Sequence, residues 1–334
     1  MMNRNLVWYD AEPVGDSLRE AVLAGLRRRP RAIAPKFFYD AEGSRLFDAI
    51  CRTPEYYPTR TEMTLLSDRA EGIAATIRAA TGPEPLLLIE PGAGSGDKAR
   101  LLFDALRPVA YLPIDISGEY LRAVAAELAA ERPWLAVHAL CDDFTTLDRL
   151  PIETLAGRRL IFFPGSTIGN YEPEQARAFL SRMARLAGPD GWLLLGVDLV
   201  KPPHLLEAAY NDRGGMTAAF NRNLLVRINR EVGGDFRPEQ FTHRAHYDAE
   251  RNRIEMHLIS CIDQTVQVAG ERFRFAAGES IHTENAYKYT PEGCHSLLTA
   301  SGFAPVQSWQ DPQGWFSVQC ARVDASIQPA PGAG

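Results

Sequence analysis

The sequence predicts a doubly wound α/β fold: a parallel sheet covered by helices on both faces and finished by an antiparallel hairpin. Three observations carry this. A buried-strand run leads into a glycine-rich turn at 86–98, strand and helix patterns alternate as far as residue 198, and a hairpin pattern closes the chain. The 334 residues suffice for one large domain or two intimate ones.

The first run is LLLIEPGAGSGDK. Leu86 to Ile89 have the length and branching of a buried parallel strand. Gly92, Gly94 and Gly96 let the backbone turn sharply and approach a ligand. Ala99, Leu102, Phe103 and Leu106 follow at helical spacing. Strand patterns recur at Ala110–Asp115, Leu135–Cys141, Leu160–Pro164 and Trp192–Val197, with helices predicted over 117–132 and 173–187. A helix over 291–301 precedes Ala304–Gln310 and Phe316–Val323, which the Asp-Pro-Gln-Gly turn at 311–314 joins as a hairpin. Residues 1–60 and 201–286 lie outside this rhythm, and the second stretch is too long for a loop. It reads as a helix over 205–225 and strands over 241–247, 253–262 and 271–277. The expected division is a sheet domain of 61–200 and 287–325, a smaller α+β substrate domain of 1–60 and 201–286, and a disordered tail of 326–334.

The turn indicates the cofactor. A dinucleotide fingerprint places a third glycine where Asp97 stands, and a carboxylate at a helix N-terminus repels a pyrophosphate. That argues against a nicotinamide oxidoreductase. S-adenosylmethionine (SAM) has no phosphate. Glu90 suits its cationic end, and Asp115, at the next strand tip, has two oxygens for the ribose hydroxyls. Asp143 and Phe144 offer a carboxylate and a flat ring for adenine, although a helix cap beside a core phenylalanine accounts for them equally well in isolation. Gly165-Ser-Thr-Ile-Gly-Asn-Tyr171 is a second backbone-rich loop at a strand end, and the Asn170 amide can hold an amine or a carboxylate, or equally serve as a turn residue that satisfies its own backbone. Tyr39, Tyr56, Tyr57 and Tyr210 form a set of phenols outside the sheet, each of which is also a common packing residue.

Composition excludes other classes. A net charge of −6 gives no basic stripe for nucleic acid. No apolar stretch reaches membrane-spanning length and no signal peptide opens the chain. Cysteines 51, 141, 261, 294 and 320 are scattered, as in reduced cytoplasmic proteins. His243 and His246 have H-x-x-H spacing, but no further ligands stand out, so no metal site is expected.

Beyond these patterns, Pro35-Lys-Phe-Phe-Tyr-Asp-Ala-Glu-Gly-Ser-Arg-Leu-Phe-Asp48, the run Thr53–Glu62, EPGAGSGDK, IDIS, the GSTIGNY loop and Ile281-His-Thr-Glu-Asn-Ala-Tyr-Lys288 together resemble the EgtD family over about residues 8–322. The family comprises SAM-dependent histidine Nα-methyltransferases, which make hercynine on the way to ergothioneine. The resemblance implies a class I SAM-methyltransferase (Rossmann-like) sheet and a cytoplasmic enzyme, expected to be a monomer, acting on a small molecule. SAM is implied on Glu90, Gly92, Gly94, Gly96, Lys98, Asp115, Asp143, Phe144 and Gly165. Tyr56, Asn170 and Tyr210 are implied to hold the amino acid's charged ends, with Tyr39 and Asn170 as the catalytic pair beside the amine. Glu284, position 286 and Met256 are implied to line the side-chain pocket. Members resembling this chain usually carry serine where Ala286 stands. That loses a hydroxyl contact worth about 0.5–1.5 kcal/mol, or marks another free aromatic amino acid or small amine as the substrate.

Overall fold

The computed structural model describes residues 5–10, 17–82, 84–152 and 155–324. The tail expected to be disordered, 326–334, lies outside the described residues. In chain order, the first elements are β1 (Leu6–Asp10), α1 (Leu18–Arg27), β2 (Arg31–Ala32), α2 (Ala41–Cys51), α3 (Tyr57–Thr81), β3 (Leu86–Pro91), α4 (Asp97–Leu106), β4 (Ala110–Asp115) and α5 (Gly118–Glu131). They continue with β5 (Ala136–Cys141), β6 (Arg158–Phe163), α6 (Pro173–Ala187), β7 (Trp192–Asp198), α7 (Pro203–Tyr210) and α8 (Met216–Val232). Last come β8 (Phe241–Asp248), β9 (Arg253–Ser260), β10 (Gln264–Val268), β11 (Glu271–Phe275), β12 (Ser280–Tyr287), α9 (Pro291–Ala300), β13 (Phe303–Gln310) and β14 (Phe316–Val323).

The chain forms two compact units: residues 1–14, 58–199 and 289–334, and residues 15–57 and 200–288. The first unit is built on one eight-stranded sheet in the order β1-β5-β4-β3-β6-β7-β14-β13. Strands β1 to β7 in this sheet run parallel, and β14 and β13 pair antiparallel as the predicted hairpin. This is the topology of a class I SAM methyltransferase. The continuous apolar strands are explained by burial on both faces. Leu86 and Leu88 enter one core cluster, whereas Leu87 and Ile89 enter the other.

The second unit holds a four-stranded sheet, β2-β12-β9-β8, and a β10–β11 hairpin. Three readings need correction. Residues Leu6–Asp10 group with the large sheet, not with the substrate unit, because β1 pairs in parallel with β5 through Leu6↔Val137 to Asp10↔Cys141. The single helix expected over 205–225 is two, α7 and α8. Gly215 at φ +72° breaks the path, and the Asp212 carboxylate caps the restart by accepting from the N–H groups of Met216 and Thr217 at 2.8 and 2.7 Å. The third concerns what the sequence patterns did not assign: β1, α1, β2, α2, α3, β10 and β12.

Candidate active site

In the sheet unit, the site grows from the carboxyl ends of β3, β4, β5 and β6. Gly92, Gly94 and Gly96 all have positive φ, at 71°, 53° and 68°, a region that disfavours any side chain. The turn is pinned to β4, since the N–H groups of Gly92 and Ala93 both reach the Ile114 carbonyl, at 2.7 and 3.1 Å. A Cβ on Gly92 would come within 3.1 Å of the Phe144 ring, so bare backbone there leaves that ring face against the turn.

Asp115 bridges turn and helix. It accepts from Gly94 N–H at 3.0 Å through Oδ2 and from Ser117 N–H at 2.9 Å through Oδ1. Burial nonetheless pushes its pKa up. Glu90 is buried at the strand tip and accepts from the Tyr111 hydroxyl. Desolvation pushes its pKa up to about 8; Tyr111 and Lys98 pull it down, and Glu62 and Asp115 oppose them. A carboxyl so placed gains from a cationic ligand. Asp143 is committed in part to its own turn, because Oδ1 accepts from the Thr145 N–H (2.9 Å) and hydroxyl (2.5 Å).

Gly165 and Lys98 meet at a residue that sequence reading left without a role. Glu62, fully buried on α3, accepts the Gly165 N–H on both oxygens, at 3.0 and 2.9 Å, and pairs with Lys98 Nζ at 2.6 Å. Gly196 on β7 makes room for it: a Cβ there would lie 2.0 Å from Glu62 Oε1. Glu62 stood inside a quoted sequence run, but no spacing rule links it to Lys98. Asn170 ends the 3-10 turn Thr167–Asn170 in this same unit. It is half-buried, and its amide makes no hydrogen bond among the described residues.

The second unit gathers the other expected residues. Tyr56 and Tyr210 are buried, with ring centroids 6.0 Å apart. Half-buried Tyr39 sets its ring against Phe47 and Phe220 at 5.8 and 5.7 Å. Burial first, then Tyr210, Cys51, Glu284 and Tyr39, push the Tyr56 phenol well above its ordinary pKa, so it stays protonated. Lys288 Nζ donates to the Tyr210 hydroxyl at 3.1 Å. Tyr57 does not join the phenol set by that route; its hydroxyl takes Lys201 Nζ at 2.8 Å.

Glu284 lies opposite Met256 across β12 and β9, just past a bulge at Thr283, and Ala286 opposite Ile254 is next on the same face. Glu284 is 8% exposed, and its carboxyl makes no hydrogen bond among the described residues. Desolvation raises its pKa to about 7, against the pull of Lys288.

The chemistry of the first unit fits an adenosine cofactor with a cationic end. A glycine turn without side chains, two raised carboxyls at adjacent strand tips and Asp97 in the first turn of α4 leave no place for a pyrophosphate. The sequence matches, over residues 18–323, the profile of a family described as histidine-specific methyltransferase, SAM-dependent. It is 42% identical over 318 residues to the histidine N-alpha-methyltransferase of Mycolicibacterium smegmatis, covering 93% of this chain and 96% of that protein. It is 40% identical over 312 residues to the enzyme of the same name from Mycobacterium tuberculosis, covering 91% and 94%. A more distant relative, 25% identical across 89% of this chain and 92% of its own, is the 4-dimethylallyltryptophan N-methyltransferase of Epichloe festucae var. lolii.

Proposed function

The chain belongs to the histidine-specific, SAM-dependent methyltransferase family, and we propose that it methylates the α-amine of free L-histidine up to three times, yielding hercynine for ergothioneine biosynthesis. SAM supplies an electrophilic methyl group on a sulfonium. Glu90, the Gly92–Gly96 turn, Lys98, Asp115, Asp143, Phe144 and Gly165 hold it: Asp115 takes the ribose hydroxyls, Phe144 and Asp143 the adenine, and Glu90 the cationic end.

The amino acid is held by Tyr56, Asn170 and Tyr210. Tyr39 and Asn170 orient the amine, which must be neutral to attack. These groups need only align a deprotonated nucleophile. No covalent intermediate is required, and water can accept the proton.

The observation that carries histidine as substrate is Glu284. A buried carboxyl with a pKa raised to about 7 and no protein donor is costly alone and is satisfied by an imidazole N–H. The test is a competition among pooled free amino acids with SAM, read by mass spectrometry. Histidine carrying one, two and three added methyls is expected, histidine methyl ester is expected to react poorly, and Glu284→Ala is expected to raise the histidine KM by about tenfold or more with SAM affinity unchanged. Equal turnover of the ester, or methylation confined to the ring, overturns the assignment.

A second reading is favoured by Ala286. A methyl group where the family resemblance implies a hydroxyl suits an aromatic side chain with no donor or acceptor to place there, and one distant relative is named for a tryptophan derivative. In the same competition, that reading requires another amino acid to outrun histidine.

A further inference from the structure

Residues three apart on a strand face opposite ways, so the H-x-x-H pair divides across the sheet. His243 turns toward the helices: its Nε2 lies 2.8 Å from the Tyr210 carbonyl and its Nδ1 2.9 Å from the Asn221 amide. His246 stands on the other face. There the β8–β9 register sets it opposite Glu255, with His257 two residues farther along β9 on the same face.

The geometry around Glu255 is divided. Its Oε1 accepts from Arg253 Nε at 2.8 Å. Its Oε2 is 3.2 Å from His257 Nε2 and 3.8 Å from His246 Nε2. One ligand atom from each of the three residues lies within 4.8 Å of the others. The two imidazoles are nearly parallel, with centroids 5.4 Å apart. The Nδ1 atoms of His246 and His257 are buried and have no hydrogen-bond partner. The His282 ring packs 5.1 Å from His257, and its Nε2 lies 3.0 Å from the Glu284 carbonyl. With both Nδ1 atoms buried, the nitrogens that the two rings turn toward Glu255 Oε2, and so offer to a shared ligand, are the Nε2 atoms.

We propose that His246, Glu255 and His257 bind a divalent transition-metal ion of the zinc class, a structural staple between β8 and β9. Two imidazole nitrogens and one carboxylate oxygen form a ligand set that zinc accepts, with solvent or another group completing the tetrahedron. At zinc–ligand distances of about 2.0–2.1 Å, tetrahedral ligands stand about 3.3 Å apart, and the separations of 3.2 and 3.8 Å from Glu255 Oε2 bracket that spacing. Calcium and magnesium want more oxygen ligands than this set offers. His246, at 38% side-chain exposure, gives the ion its way in. The ion sits on the sheet face opposite Met256, Glu284 and Ala286, so it holds the strands that present those residues and touches none of the methyl-transfer groups.

The test uses the full chain without a polyhistidine tag, stripped of metal with a chelator and kept free of histidine, which binds zinc itself. Titration with Zn2+ against a chromophoric chelator is expected to give one equivalent at micromolar Kd or tighter, and zinc is expected to raise Tm. His257→Ala and His246→Ala are each expected to weaken binding at least tenfold and to abolish the Tm rise, whereas His204→Ala, at an exposed position on α7, leaves both intact. His246, at the rim, carries the test if His257→Ala folds poorly. No saturable uptake, or uptake unchanged in His246→Ala, overturns the proposal.

Discussion

The buried acids around the glycine turn of the sheet unit and the buried Glu284 of the four-stranded unit are treated differently. In the sheet unit, Glu62, Glu90, Asp115 and Asp143 each accept hydrogen bonds from the protein: from Gly165, from Tyr111, from Gly94 and Ser117, and from Thr145. In the four-stranded unit, Asp212 also accepts, from Met216 and Thr217, but Glu284 is buried with no hydrogen bond to its carboxyl among the described residues. The first arrangement fixes a cofactor cradle before anything binds, so little ordering is left to the ligand. On the proposed assignment, the second leaves one charge to be satisfied by the substrate, and would thereby discriminate between side chains that can donate to it and those that cannot.

The largest expected break in this contrast is Glu62→Ala. It strips Lys98 of its partner and the Gly165 N–H of its acceptor. Removing one side of a buried pair costs about 3 kcal/mol or more. Chemical denaturation is expected to show that loss, together with a severe loss of SAM binding; a variant as stable as the parent that binds SAM normally would place the organisation of the cradle elsewhere.

Asp115→Ala comes next. The carboxyl ties Gly94 to Ser117 and is assigned both ribose hydroxyls, so SAM affinity is expected to fall about a hundredfold or more by calorimetry. Unaltered affinity refutes the assignment.

A smaller effect is expected from pH. Glu90 has its pKa raised to about 8 by burial, so it is largely protonated at pH 7 before a cation arrives. A cationic ligand favours the ionised form and lowers that pKa, so binding releases a proton and affinity rises with pH up to about 8. SAM affinity is expected to drop about fivefold from pH 8 to pH 7, with the proton release visible as a buffer-dependent enthalpy. Glu90→Gln should flatten this profile; a profile equally steep in that variant assigns the proton to another group.

The finest probe is Ala286→Ser. If histidine is the substrate, the restored hydroxyl is expected to lower its KM a few-fold, up to about tenfold for 1.4 kcal/mol. Constants unchanged for every amino acid tested would show that position 286 does not touch the substrate.

Local pattern carries far in this chain. The strands β3 to β7 were legible because burial on both faces demands uninterrupted apolar runs, and the turn was legible because three positive φ angles in five residues demand glycine. The antiparallel end was announced by its own turn residues. Family resemblance supplied the roles of Tyr56, Tyr210 and Glu284, which no periodicity reveals.

Apart from the helix break at Gly215, which is a local signal, what failed in the sequence reading shares one cause. Nothing local predicts that β1 pairs with β5, that Glu62 reaches Lys98 and Gly165, or that His246 meets Glu255 and His257 while its H-x-x-H partner His243 turns away. The sequence by itself determined the parallel sheet, the glycine turn and its phosphate-free cofactor, because those depend on backbone angles and on which face of each element is apolar. Only the tertiary structure decided strand register and the partners of buried charges, because both depend on which distant residues are brought within hydrogen-bond reach.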